Sequence, residues 1–114
     1  MKILHKVTGA ILLEIDGNSL VGANLAGANL SGANMYGANL IGSNLSRANL
    51  SRANLIGAKL GVADMIGVYL GGANMIGANL IGANLHGADL MLAKYDGKTI
   101  WPDGFVPPTK GDEK

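Results

Sequence analysis

The chain of 114 residues contains no cysteine and two histidines, which excludes disulfides, thiolate metal sites and thiol nucleophiles. His5 and His86 stand at opposite ends of the sequence, so a shared metal site is not expected. The carboxylates of the central region are Asp64 and Asp89, separated by twenty-five residues. General acid-base catalysis needs two such groups converging on one substrate, and this spacing offers no obvious pair. Ser31, Ser46 and Ser51 recur in the same region without a base at a comparable interval. Gly71-Gly72 resembles a phosphate-binding turn only in composition, because glycine recurs throughout the chain. Arg47 and Arg52, with Lys59 following, are the basic residues of the central region, and the two arginines are the weak anion-site candidates, since guanidinium groups pair well with oxyanions. A nucleic-acid surface must neutralise several phosphates, and the formal net charge of the whole chain is only +1. No catalytic, metal or cofactor-binding residue is assigned, no cofactor or small-molecule substrate is expected, and the chain reads as a non-enzyme.

What positions these residues is a repeat. From Ala23 to Leu92 the sequence divides into fourteen units of the form Ala-Asn-Leu-x-Gly with no insertion. The third position is Leu or Met throughout, from Leu25 to Leu90. The first is Ala except at Ser43 and Val68, while Asn holds the second position and Gly the fifth in ten units each. A degenerate unit, Asn18 to Gly22, keeps the frame upstream with Leu20 in the Leu slot. A period of five fits neither common element. On an α-helix, successive Leu residues would drift by about 140° per step instead of lining one stripe. On a flat strand, residues five apart point to opposite faces. Every Leu can face inward only if the chain bends once per unit, with Ala and Leu directed to the same side and Gly in the bend, where its tolerance of positive φ is useful. Regular bending in one sense winds a solenoid whose coils bury their inner faces on one another.

These units, among them Gly27-Ala28-Asn29-Leu30-Ser31 and Gly87-Ala88-Asp89-Leu90-Met91, resemble the pentapeptide-repeat proteins. The resemblance covers about two-thirds of the chain. It implies an all-β fold, a right-handed parallel β-helix of square section with four units per coil, here about four coils over residues 18–94. The flanks read as caps. Residues 1–17 carry two apolar runs around Thr8-Gly9, which predicts a β-hairpin. The segment 95–108 resembles a tail found in cyanobacterial members of the family. There Ile100, Trp101 and Phe105 are expected to cover the last Leu layer, and its prolines to oppose further strand pairing. Residues 109–114 are expected to be a disordered tail. The stacked Asn residues are expected to hydrogen-bond up their columns, as amide ladders do.

With four units per coil, residues twenty apart share a column. The fourth positions then divide unevenly. Two columns are mixed, while the other two run Tyr36, Ile56, Ile76 and Val21, Ile41, Gly61, Ile81. The candidate interaction surface is therefore Val21, Tyr36, Ile41, Ile56, Ile76 and Ile81, two adjacent apolar faces of the kind that mark contact surfaces. A protein partner or a homodimer is expected, without membrane or nucleic acid. The alternative that the resemblance implies is a DNA-mimicking modulator of a type II topoisomerase. Such a mimic needs acidic second positions, and here Asn fills ten of them. Among residues 18–92 the formal charges are only Arg47, Arg52, Lys59, Asp64 and Asp89. No stretch reaches the length of a membrane span, and the apolar run Ala10 to Leu13 ends at Glu14 without a cleavage-site pattern, so the expected compartment is the cytoplasm.

Overall fold

A computed structural model describes residues 1–108. Each unit forms one side of a square coil. The second-position residue pairs in parallel with its counterpart twenty residues on, from Asn24 with Asn44 through Asn74 with Lys94. The ladder is short and regular: Leu25 N–H donates to the Asn44 carbonyl at 2.7 Å, and Asn44 N–H to the Ala23 carbonyl at 2.9 Å. At each corner the third-position carbonyl accepts the N–H of the next first position, as at Leu25 and Ala28, 3.1 Å. With positive φ at the fifth position, this is a type II turn. The fold is the right-handed parallel β-helix expected from the sequence.

The corner geometry is imposed by the coil rather than by glycine. Arg47, Arg52, Val62 and Leu92 occupy fifth positions with φ of 56°, 59°, 49° and 63°. A non-glycine residue held there costs on the order of 1 to 3 kcal/mol, and the β-branched Val62 is the least suited of the four.

First and third positions fill the interior. The eight third-position side chains from Leu45 to Leu80 are fully excluded from solvent, as are Ala48, Ala53, Val68 and Ala73. Ser43, in a slot that is Ala or Val in the other thirteen units of 23–92, is equally buried, and its hydroxyl has no hydrogen-bond partner. An unsatisfied buried polar group costs about 1 to 3 kcal/mol. Ser43→Ala is therefore expected to raise the free energy of unfolding by about 1 kcal/mol, measured by urea denaturation. An unchanged or lower midpoint would contradict this account of the slot.

The Asn residues do not form amide ladders. Each Oδ1 instead accepts the N–H two residues ahead within its own turn, as Asn54 does from Ile56 at 3.1 Å and Asn79 from Ile81 at 3.0 Å. Asp64 and Asp89 do the same for Ile66 and Met91. The reason is local. The fourth-position N–H is the one amide of a unit that neither the adjacent coils nor the corner supplies with a backbone acceptor, and an Asx side chain two residues back reaches it. Asn54→Ala is expected to stay folded but lose about 1 kcal/mol, the usual worth of such a side-chain cap. Its denaturation midpoint should therefore fall without loss of cooperativity.

At the start of the chain, β1 (Lys2–Leu4) and β2 (Ile11–Glu14) form an antiparallel hairpin. The hairpin closes the lower edge of one side of the first coil. His5 pairs antiparallel with Ala33, Asn34 N–H donates to the Leu4 carbonyl at 2.8 Å, and Lys6 N–H donates to the Gly32 carbonyl at 2.9 Å. Glycine at 32 leaves room for the hairpin: a Cβ there would lie 2.3 Å from Nε2 of His5, and the imidazole would have to move.

At the other end the ladder passes residue 94. Ile100 pairs with Asn79, twenty-one residues back, so the corner at 96–98 has one extra residue and the frame then resumes. Thr99 takes the inward first position, with its hydroxyl donating to the Met75 carbonyl at 2.9 Å. Trp101 follows in the slot normally held by Leu. It stacks on Phe105 at 5.3 Å and meets Tyr95 edge-on at 5.3 Å. Trp101 and Phe105 pack against the core, as expected for a cap. Ile100 does not, because its second-position register turns it outward and leaves it 45% exposed. The expected disordered tail 109–114 lies outside the described residues.

Candidate interaction surface

The chemically capable side chains serve the coil. Asp64 and Asp89 cap turns on adjacent sides. Ser46 Oγ donates to Asn44 Oδ1 at 2.8 Å, and Ser31 Oγ to the Ser51 carbonyl at 3.3 Å. Nδ1 of His5 accepts the N–H groups of Val7 and Thr8 at 3.1 and 3.2 Å. Among the described residues no three His or carboxylate groups gather as metal ligands.

The apolar columns stand outside, but along corners rather than across flat faces, because the fourth position belongs to the turn. Val21, Tyr36, Ile41 and Ile81 are exposed, Tyr36 most of all at 68%. Ile56 and Ile76 are half-buried, since neighbours in a column cover one another. These columns are thus exposed at Val21, Tyr36, Ile41 and Ile81 and partly self-covered at Ile56 and Ile76.

Arg47 and Arg52 sit at adjacent corners, yet their stems climb one coil. Cγ of Arg47 lies 3.4 Å from where a Cβ of Gly67 would stand, and Cγ of Arg52 3.3 Å from that of Gly72. Gly67 and Gly72 bracket Val68–Leu70, so the two arginine stems border the exposed Tyr69. On the hairpin, the Lys6 ammonium donates to the Arg52 carbonyl.

Several exposed apolar side chains were missed by reading only the fourth positions of two columns: Val62, Tyr69, Met91 and Leu92. The signal that finds Val62, Tyr69 and Leu92 is departure from the repeat at the second and fifth positions, while Met91 is the large apolar member of a mixed fourth-position column. One departure leaves a visible mark. Gly61 interrupts the column between Ile41 and Ile81, and a depression of about 350 Å³ opens there, lined by Ile41, Lys59, Gly61, Val62, Asn79 and Ile81.

Among the described residues no helix is long and apolar enough to cross a membrane. No curated protein matches the chain. Among solved structures, a pentapeptide repeat protein from the cyanobacterium Cyanothece 51142 is 37% identical over 68% of this chain, with a TM-score of 0.67. The chain spans about half of that relative, 53% of its length. A pentapeptide repeat protein from the thylakoid lumen of Arabidopsis thaliana is 26% identical, covers 82% of this chain and 70% of its own, and has a TM-score of 0.50. The family described as pentapeptide repeats matches residues 19–57, 34–70 and 58–94 in eight copies. With the unbroken frame and the square coil, these matches show that the chain belongs to the pentapeptide-repeat family.

Proposed function

We propose that the protein is a non-enzymatic scaffold, acting in the cytoplasm, that mediates protein-protein interaction or self-association through its apolar corners. The observation that carries this reading is the exposure of Tyr36, Val21, Ile41 and Ile81 on a coil whose interior is already filled. Large side chains held outward on a rigid scaffold are what a contact surface requires, and a tyrosine at 68% exposure is its natural anchor. The charge pattern does not favour DNA mimicry, because the second positions are mostly uncharged amides engaged in their own turns.

The test compares wild type with an Ile41→Lys, Ile56→Lys, Ile76→Lys variant by sedimentation and by pull-down from the native host. Association, or capture of a specific protein, should be present in wild type and lost in the variant. Monomers in both cases with identical captured proteins would remove the reading.

A further inference from the structure

The unit at 58–62 reads Ala-Lys-Leu-Gly-Val, where the units stacked on either side of it, 38–42 and 78–82, read Ala-Asn-Leu-Ile-Gly. Three local interactions are given up at this one place. Lys59 supplies no Oδ1, so the N–H of Gly61 lacks the acceptor that Asn39 and Asn79 provide to Ile41 and Ile81 at 3.2 and 3.0 Å. Gly61 interrupts the Ile column. Val62 takes a φ of 49° that its neighbours Gly42 and Gly82 adopt without strain.

Nothing in the coil requires these exchanges. The φ of Gly61 is not left-handed, and a Cβ there would meet only the Ile81 carbonyl at 3.6 Å and Ile41 Cγ1 at 3.9 Å. What they create is the depression described above. Lys59 and Gly61, whose N–H has no side-chain acceptor, line it together with apolar walls formed by Ile41, Val62 and Ile81. A lysine and a free backbone N–H in one lining suit a carboxylate, and the walls suit an apolar side chain next to it. The depression is open along the outer surface, so a free small molecule would remain largely wet, whereas a protein surface would cover the rim.

The same chain carries the matching shape on the opposite side of the coil. The unit at 88–92 reads Ala-Asp-Leu-Met-Leu. Leu92 replaces the corner glycine at φ 63° and is 83% exposed, and Met91 is 70% exposed. One oxygen of Asp89 accepts the Met91 N–H at 3.0 Å, leaving the other available. Here too a local preference is given up and an apolar knob is obtained beside a carboxylate.

We propose that the Asp89–Leu92 corner of one copy docks into the Lys59–Val62 depression of a second copy. The Asp89 carboxylate receives the Lys59 ammonium and the Gly61 N–H, and Leu92 enters between Ile41, Val62 and Ile81. The trans carboxylate thereby replaces the Asx oxygen that the unit lacks. Knob and depression lie on opposite sides of the square section, so the contact is heterologous and joins copies head to tail past the dimer instead of closing as a two-fold pair. This inference rests on the self-association half of the preceding reading and names its geometry.

The experiment is sedimentation over a concentration series with Lys59→Asn and Asp89→Asn. Each restores the commonest residue of the repeat, and each keeps or adds a turn cap, so the fold is retained. The wild type should show an average mass that keeps rising past the dimer. Each variant alone should associate at least about tenfold more weakly, a change of about 1.4 kcal/mol. An equimolar mixture of the two should form a dimer and nothing larger, because Asp89→Asn keeps an intact depression and Lys59→Asn an intact knob. A wild type that remains monomeric overturns the proposal, and so do variants that associate as wild type or a mixture that stays monomeric. A closed dimer abolished by the Ile41, Ile56, Ile76 lysine variant, but indifferent to Lys59→Asn, would overturn it while leaving the apolar-corner reading in place.

Discussion

Leu55→Asp is expected to yield no folded protein. Leu55 sits in the middle of the third-position column with no solvent exposure. Truncating such a leucine alone costs about 2 to 5 kcal/mol. An unpaired carboxylate in the same slot adds several more, and a domain of this size has only about 5 to 15 kcal/mol in total. The residues directly below and above it in the column are Met35 and Met75, both buried and apolar, and neither can receive the charge. Circular dichroism and urea denaturation of the soluble fraction check the outcome. A cooperative transition in the variant would mean that the third position does not point inward, and the five-residue frame would fail with it.

Trp101→Ala is expected to have the next largest effect. Trp101 occupies a Leu slot in the last coil and holds Tyr95 and Phe105 over the end of the core. Removing a large aromatic costs about 3 to 5 kcal/mol when fully buried. Trp101 is half-buried, so about 2 to 3 kcal/mol is the expectation, equivalent to a fall in Tm of roughly 10 °C or more. In a solenoid each coil contacts only its neighbours, so the loss should begin as fraying of the final coil. Amides near Leu80 and Met75, which donate to the carbonyls of Ile100 and Lys94, should lose hydrogen-exchange protection before those near Leu50. A Tm within about 2 °C of wild type would show that the cap is incidental.

Most of the fold was legible because a period of five allows few solutions. The Leu or Met column, the inward Ala and the bend at the fifth position all follow from that single number, and the hairpin follows from two apolar runs around Thr8-Gly9. The misread parts depend on contacts that spacing alone does not contain. Asn at the second position looks the same whether its oxygen bonds the next coil or its own turn. The difference lies in which backbone amides the coils leave unbonded, and that emerges only when the hydrogen bonds of a whole unit are traced. The single extra residue at 96–98 hid the return of the frame at Thr99 and Trp101, and Ile100 was therefore assigned inward when it points out.

The candidate surface was legible to the same extent. Fourth-position columns identified Tyr36 and Ile81, but treating corners as faces overstated the exposure of Ile56 and Ile76. Arg47 and Arg52 were placed at the correct corners, although the direction of their stems, one coil up and beside Tyr69, depends on Gly67 and Gly72 leaving that space open. The Lys59–Val62 depression was missed because Gly61 was read as a gap in a column instead of one of three coordinated departures.

The central claim is that a unit's Asx side chain satisfies its fourth-position amide, and that Gly61 is left without an internal acceptor where a second copy is proposed to dock. Amide hydrogen exchange of the fourth-position N–H groups, measured on dilute protein, tests it most directly. Ile41, Ile56, Ile76 and Ile81 have Asx acceptors at 3.0 to 3.2 Å and should be protected. Gly61, between Ile41 and Ile81 in the same column, should exchange at least about tenfold faster, as an amide without an internal acceptor does. If Gly61 is protected to the same degree as its column neighbours in the monomer, the donor proposed to receive the carboxylate is already satisfied, and the account is contradicted.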